Sequence, residues 1–452
     1  MGSLFTALNI ASNALDAFQH AINVTSTNVT NASTPGYARQ QVVLTANNFD
    51  AYTAVGGGVS YSGTVDSRDE YAERSVQQSV SQQGEATQRA QGYTELEQIL
   101  PVDGTSGIST SLDSFFQAFS SLTTSPNDAT ARQLALDQAQ QVAQSFQQAS
   151  EALDQTKQGT QEDLTNQVNQ VNTIAANIVS INKQFEQNAD ATTDPGLNAQ
   201  LSQSLEQLSQ YANLTVLKQD NGTVMVYAGQ SLLVAGDQSM PLQFASGAGQ
   251  WVLEDSQGND MSTTLQSGSL YALLNQANNV EPGLESNLNQ MAQSFATAVN
   301  SALQTGVDES NNSPTQDLFS FDPVAGAAQT ITVNPLQPSE LALADPTAPG
   351  GNAVAVDITN LQQAGLVGGA TLAQFYGNVA AQLGQMASNA TNDQTTAESL
   401  TTQAQSMRTD LQGVSLDQEA MNLLEYQRSY DATSQFVKVI NEMTQDVVNM
   451  LQ

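Results

Sequence analysis

The sequence predicts a mainly α protein with a smaller β part. Its terminal helices form an inter-subunit coiled coil, its body is an elongated helical bundle, and a small β-rich module is inserted in the middle. Three observations predict this. A heptad spacing of apolar residues opens the chain and another closes it; such a seam cannot be buried without a partner helix. Residues 70–212 carry helical spacing broken only at a few Pro and Gly clusters. The stretch 213–350 shows hairpin and loop signals instead, and six of the 12 prolines fall between Pro314 and Pro349.

The first seam runs through Leu4, Leu8, Ala11, Leu15, Phe18, Ile22, Thr25 and Val29, in alternating steps of four and three. It stops at Asn31-Ala32-Ser33-Thr34-Pro35-Gly36, because Pro and Gly do not continue a helix. From Tyr37 to Asp69 the pattern becomes β-leaning at 41–45 and 58–62. Gly56-Gly57-Gly58 marks a turn or a close backbone approach. Long helices follow, interrupted at 101–107, near Pro126 and at Asp194-Pro195-Gly196. In the middle, Asp220-Asn221-Gly222 between two β-branched runs is a strong hairpin signal. A helix after Pro282 presents Leu284, Leu288, Met291 and Phe295 on one face. Residues 350–452 contain no Pro and fit two helices, 371–412 and 416–451. The second carries the closing seam: Leu423, Tyr426, Tyr430, Thr433, Val437, Ile440, Thr444, Val447 and Leu451.

The expected organisation is therefore a terminal assembly domain from 1–36 and 413–452. A long-helix body comprises 37–212, 271–310 and 351–412. Residues 213–270 with 311–350 form the β-rich module.

Composition excludes several function classes. Eleven Lys+Arg against 44 Asp+Glu leave a net charge of −33, and no Lys or Arg lies between Lys218 and Arg408. Nucleic-acid binding and anionic-membrane docking both need a basic patch, so neither is expected. The absence of Cys removes disulfides, thiol nucleophiles and Cys-based metal sites. His20 is the single histidine, set between Phe18 and Ile22, and is expected to be exposed or inter-subunit. No H-E-x-x-H, P-loop or G-x-S-x-G is present. Asp308-Glu309-Ser310-Asn311-Asn312 has a faint likeness to a calcium loop but lacks the closing Glu. No catalytic residue, cofactor or metal is expected. No apolar run approaches the ~20 residues that span a bilayer. The start has no positive n-region, and Asn9, Asn13 and Asp16 interrupt any apolar core, so a cleaved signal is not expected.

Two blocks of residues carry a resemblance. The first is Ser3-Leu4-Phe5-Thr6-Ala7-Leu8-Asn9-Ile10-Ala11 followed by the stretch 21–40, with Asn31, Thr34, Pro35, Gly36, Tyr37 and Arg39. The second is Gly413-Val414-Ser415-Leu416-Asp417-Gln418-Glu419-Ala420, with Asn422-Leu423-Leu424-Glu425-Tyr426-Gln427 after it. Together they resemble the axial proteins of the bacterial flagellum, and among these the hook-associated protein 1 family. Asn28-Val29-Thr30-Asn31 stands where that family commonly has Asn-Ile-Ala-Asn. The resemblance implies a structural protein of the hook–filament junction, exported through the flagellum's own channel and outside the cell when assembled. It implies a ring of copies in which the terminal helices fold as they assemble into an inner coiled-coil tube. It also implies contact with the hook protein and the second junction protein, and an export chaperone at the C-terminal helix. Alternatives are another axial protein of hook or distal rod, or a secreted coiled-coil adhesin with Trp251 in its binding head.

Overall fold

Helix α1 (Gly2–Thr30) carries the opening seam and ends at the predicted turn, where Gly36 takes φ +74. The structure, a computed structural model, describes residues 2–48, 57–102, 104–188, 192–247 and 249–450. Gly56 and Leu451 lie outside the described residues. The β-leaning stretch forms an antiparallel hairpin, β1 (Gln40–Ala46) and β2 (Val59–Asp66), with an irregularity between Val43 and Leu44. The hairpin packs beside α1.

Four helices follow: α2 (Glu70–Glu97), α3 (Gly107–Thr124), α4 (Ala129–Gln187) and α5 (Pro195–Ser209). Their starts are chemically marked. Asp69, Asp128 and Asp194 each accept hydrogen bonds from two backbone N–H groups of the first turn, occupying donors a helix start leaves free. Pro195 begins α5, at the position where its missing N–H costs nothing.

The middle contains β3 (Leu214–Lys218), β4 (Val224–Ala228), β5 (Ser231–Ala235) and β6 (Gln238–Ser239), an antiparallel sheet in sequence order. Gly222, at φ +84, closes the β3–β4 hairpin, and Asn221 Oδ1 accepts from the Thr223 N–H. A separate hairpin joins β7 (Gln243–Gly247) to β8 (Gln250–Glu254). Helix α6 (Ser269–Asn275) then runs through a π turn at Gln276–Val280 into α7 (Glu281–Gln304). The chain continues through β9 (Phe319–Ser320), α8 (Ala327–Thr330), β10 (Thr332–Val333) and α9 (Ala353–Leu361). It closes with α10 (Leu372–Gln412) and α11 (Leu416–Met450), matching the two helices expected there.

Two cores are strung along α4, whose 59 residues span about 90 Å. Its first half, with Phe146 and Leu153, packs with α3, α7, α9, the end of α2 and the start of α10. Phe115, Phe119, Phe295 and Phe319 meet edge-on or tilted at the centre, with Phe115–Phe295 and Phe295–Phe319 centroids both 5.1 Å apart. The second half of α4, from Leu164 to Phe185, packs with α5, α6 and the inner faces of the strands from β4 to β8. Residues 213–270 and 311–350 therefore do not form one module. The later stretch sends Leu318, Phe319, Ile331, Leu341 and Leu343 into the first core, where Phe295 of α7 and the phenylalanines of α3 offer an apolar wall. The strand-rich middle seals the second core instead.

Between the cores sits a buried polar node. Glu281 Oε1 accepts from Thr160 Oγ1 at 2.7 Å and from Gln276 Nε2 at 3.0 Å. Gly92 of α2 leaves the space that Gln276 fills, since a Cβ there would overlap the amide.

Candidate functional site

The closing helix lies along the opening one, and α2 and α10 pair still more extensively in the body. On α11 the half-buried or buried face is Leu423, Tyr426, Tyr430, Thr433, Val437, Ile440, Thr444 and Val447. That is the closing seam read from the sequence. On α1 the burial is rotated. The fully covered stripe is Ala11, Ala14, Ala17, Ala21, Thr25 and Asn28, while Leu4, Leu8, Leu15, Phe18 and Ile22 flank it half-buried. Val29, expected on the seam, is 42% exposed and Asn28 takes its place. From Ala14 onward the covered positions mostly stand one residue before the seam positions, and Asn28 before Val29 continues that offset. The alanines let the backbones approach closely and leave the larger side chains at the margins.

Where the terminal pair meets the body, side chains from both ends converge in an elbow. Asn28 is 1% exposed and makes four hydrogen bonds. Its Oδ1 accepts from the Gln40 N–H at 2.8 Å and the Tyr37 hydroxyl at 2.9 Å. Its Nδ2 donates to the Gln40 carbonyl at 2.8 Å and to Glu419 Oε2 at 3.1 Å. Glu419, also 1% exposed, accepts from Arg39 Nε at 2.7 Å through its other oxygen. One buried amide and one buried carboxylate thus tie α1 and β1 to the first turn of α11. Burial, and then the Glu419 charge, pushes the Tyr37 phenol up to about 12, so it stays a neutral donor.

A second layer ties this knot to the body. Arg39 N–H donates to the Gln412 carbonyl at 2.9 Å, and Gln412 Nε2 donates to Glu73 Oε1 at 2.6 Å. Glu73, buried at the start of α2, also receives Arg68 at 2.6 Å, Ser202 Oγ at 2.9 Å and Arg408 at 3.4 Å. Arg408 reaches Glu206 of α5 at 2.6 Å, and Arg68 donates to the Gly36 carbonyl at 2.8 Å. Gly36 passes so close to α5 that a Cβ would stand 2.6 Å from the Ala199 carbonyl oxygen. Its left-handed backbone and this contact both demand glycine. Each buried charge has an opposite charge and further hydrogen bonds, the condition under which burying it is tolerated.

Most of the motif residues lie at or beside this elbow. Asn31 caps the end of α1 through the Thr27 carbonyl and receives Thr34 Oγ1. Thr34 and Pro35 are exposed on the turn. Gly413 ends α10 with its N–H on the Thr409 carbonyl. Leu416 is 55% exposed and Asp417 exposed at the start of α11, so these two contribute nothing to the knot within one chain. Glu73, Ser202, Glu206, Arg408 and Gln412 belong to the elbow without having been singled out from sequence, whereas Gln40 closes the first motif block. Arg408 carried a signal: it is the one cation between Lys218 and Arg428. The polar others had none in so amide-rich a chain.

His20 stacks on Tyr61 of β2, ring centroids 4.1 Å apart, and so helps hold the hairpin on α1. The Asp308 carboxylate accepts from the backbone N–H groups of Ser310 and Asn312 and shapes its own loop. Among the described residues no group of three or more His, Asp or Glu could hold a metal ion, and no helix is long and apolar enough to cross a membrane.

Comparison with known proteins agrees with this architecture. The family model described as flagellar hook-associated protein FlgK helical domain matches residues 93–319, half of the chain. Models for flagella basal body rod protein and for the flagellar basal body rod FlgEFG protein C-terminal match 8–37 and 411–450. Flagellar hook-associated protein 1 of Bacillus subtilis is 25% identical over 99% of both chains. That of Salmonella typhimurium is 28% identical over 70% of this chain and 59% of its own length. The solved flagellar hook junction protein FlgK from Burkholderia pseudomallei superposes with a TM-score of 0.66, covering 76% of this chain and all of that one at 16% identity. The chain belongs to the flagellar hook-associated protein FlgK family and is a structural, axial component of the flagellum that joins hook and filament.

Proposed function

We propose that copies of this chain form a ring at the tip of the hook, seated on the hook protein and receiving the second junction protein above. The terminal pair α1–α11 supplies the inner wall and completes its folding only in the ring. The observation that carries this reading is the unfinished burial of that pair. Phe5, Met421, Leu424, Phe436, Val439 and Met443 are all about half exposed, on helices whose opposite faces are already joined. Apolar rows of this size on a soluble surface mark an interface, and neighbouring copies in a ring would cover them. Before assembly the same face of α11 offers an export chaperone an amphipathic helix, and the chain reaches the hook tip through the flagellum's own channel.

Immunogold microscopy of intact flagella with antibody against 213–254 tests this. A tight band at the boundary of hook and filament is the expected result. Gold along the whole hook or rod overturns the junction ring in favour of another axial position.

A further inference from the structure

A cleft opens beside the elbow, between α2, α5 and the free edge of β3. Of the eleven cations, Arg39, Arg68, Arg89, Arg132, Lys157 and Arg408 each hold a carboxylate. The other five, Arg74, Lys183, Lys218, Arg428 and Lys438, have none within ion-pair distance among the described residues, although the chain carries 44 Asp+Glu; of these, Arg74 and Lys218 come together. Both line a 160 Å³ cavity, and Arg74, Gln77 and Val216 continue from it into a 590 Å³ cleft. Of the carboxylates on these walls, Glu73 is taken by Arg68 and Arg408, and Glu85 by Arg89. Glu70 remains, in the first turn of α2, where the helix dipole favours it.

The other wall is backbone. β3 is the edge of its sheet. Its register with β4 puts Asn213, Thr215, Leu217 and Gln219 at the hydrogen-bonded positions, as the bonds Gly229 N–H to Asn213 O and Gln219 N–H to Thr223 O show. Leu214, Val216 and Lys218 therefore aim their N–H and C=O groups away from β4, on the free edge. Leu217 is 51% exposed beside them. A free edge accepts one more strand, and two unpaired cations at its end select for negative charge.

We propose that this cleft receives an extended, acidic segment of a neighbouring copy, which adds to β3 as an edge strand and sets carboxylates on Arg74 and Lys218. The occupant is a second copy because a ring of chains each at −33 needs local attraction where copies touch, and with eleven Lys+Arg against 44 Asp+Glu two cations facing one cleft are what can supply it. The inference rests on the ring proposed above.

The test uses the full-length chain in cells, with a photo-crosslinking amino acid in place of Leu217, followed by mass spectrometry of isolated flagella. The expected product is a cross-link to an Asp- or Glu-rich stretch of another copy, reduced about tenfold by R74E/K218E, a loss of about 1.4 kcal/mol. The melting temperature of the monomer is expected to be unchanged. If that variant fails to fold, R74Q/K218Q removes the charges more gently and replaces it. Cross-links to the hook protein, to the second junction protein or within one chain overturn the inference, as does a charge-reversed variant that cross-links at the wild-type level. A normal junction band with any of those results sinks only the cleft. A wild-type chain with no junction band sinks the ring and the cleft together.

Discussion

Asn28 is the residue on which the two ends of the chain agree. Replacing it by Leu keeps the branched outline with bulkier ends and orphans the Gln40 N–H and C=O, the Tyr37 hydroxyl and one oxygen of Glu419. Each buried orphan costs about 1–3 kcal/mol. Asn28→Leu should therefore loosen the terminal pair by several kcal/mol. Hydrogen exchange checks it: amides of α1 and α11 lose protection while those of α4 near Phe146 keep theirs. Wild-type protection in α1 would mean the elbow does not hold the pair. Tyr37 adds a pH dependence whose sign is fixed. Unfolded, the phenol ionises near its ordinary value of 10.0; in the elbow it holds its proton to about 12. Below pH 10 both states are neutral and nothing changes. As pH rises from 10 to 12 the unfolded chain releases a proton that the folded elbow keeps, so docking weakens across that window. Tyr37→Phe should flatten this part of the profile, followed by exchange of α1 amides from pH 9 to 12.

At the scale of elements, the terminal helices differ in how their packing could be read. On α11 the heptad positions and the covered face coincide, and Ile440 is its one fully buried large apolar side chain among the described residues. Ile440→Asp removes that contact, worth about 2–5 kcal/mol, and places a charge in the seam. It should abolish ring assembly and leave the melting of the body unchanged. Val29→Asp, on the outward face, should alter monomer stability by no more than about 0.5 kcal/mol. Filaments growing normally on cells with only the Ile440 variant would show that the seam is dispensable. On α1 the sequence pattern pointed to the Leu and Phe positions, because size dominates any reading by hydrophobicity. The alanine stripe lies between them, and only the approach of a second backbone reveals it as the contact face. The Thr-Pro-Gly-Tyr turn, the β3–β4 hairpin and the last two helices were legible because local chemistry decides them. The core that residues 318–343 would join was not. Which apolar wall they meet depends on Phe295, which is near only in the fold.

Across the whole molecule, the coupling of the two cores depends on α4 and on the polar node at its middle. Thr160 lies between Leu153 of the first core and Leu164 of the second, and meets Glu281 and Gln276 at the π turn between α6 and α7. Nothing in the sequence marks Glu281 as different from the other carboxylates. Its burial raises its pKa above the usual range, against the opposing pull of Thr160, Gln276 and the Lys157 charge. The unfolded chain therefore ionises Glu281 at a lower pH than the folded chain does. Stability falls as pH rises through that interval and remains lower at neutral pH by the desolvation of the carboxylate. A glutamine at 281 presents the same carbonyl oxygen to Thr160 and Gln276 without a charge to desolvate. Glu281→Gln should therefore melt higher than wild type at pH 7, and the advantage should shrink as pH is lowered and the wild-type carboxyl becomes neutral. Because the node touches α2, α4 and α7 together, calorimetry should show the main transition moving as one peak. A shift confined to a separate minor transition would mean that the cores unfold independently and that α4 does not couple them. An unchanged melting temperature at pH 7 would mean instead that the hydrogen bonds and Lys157 fully offset the burial of Glu281.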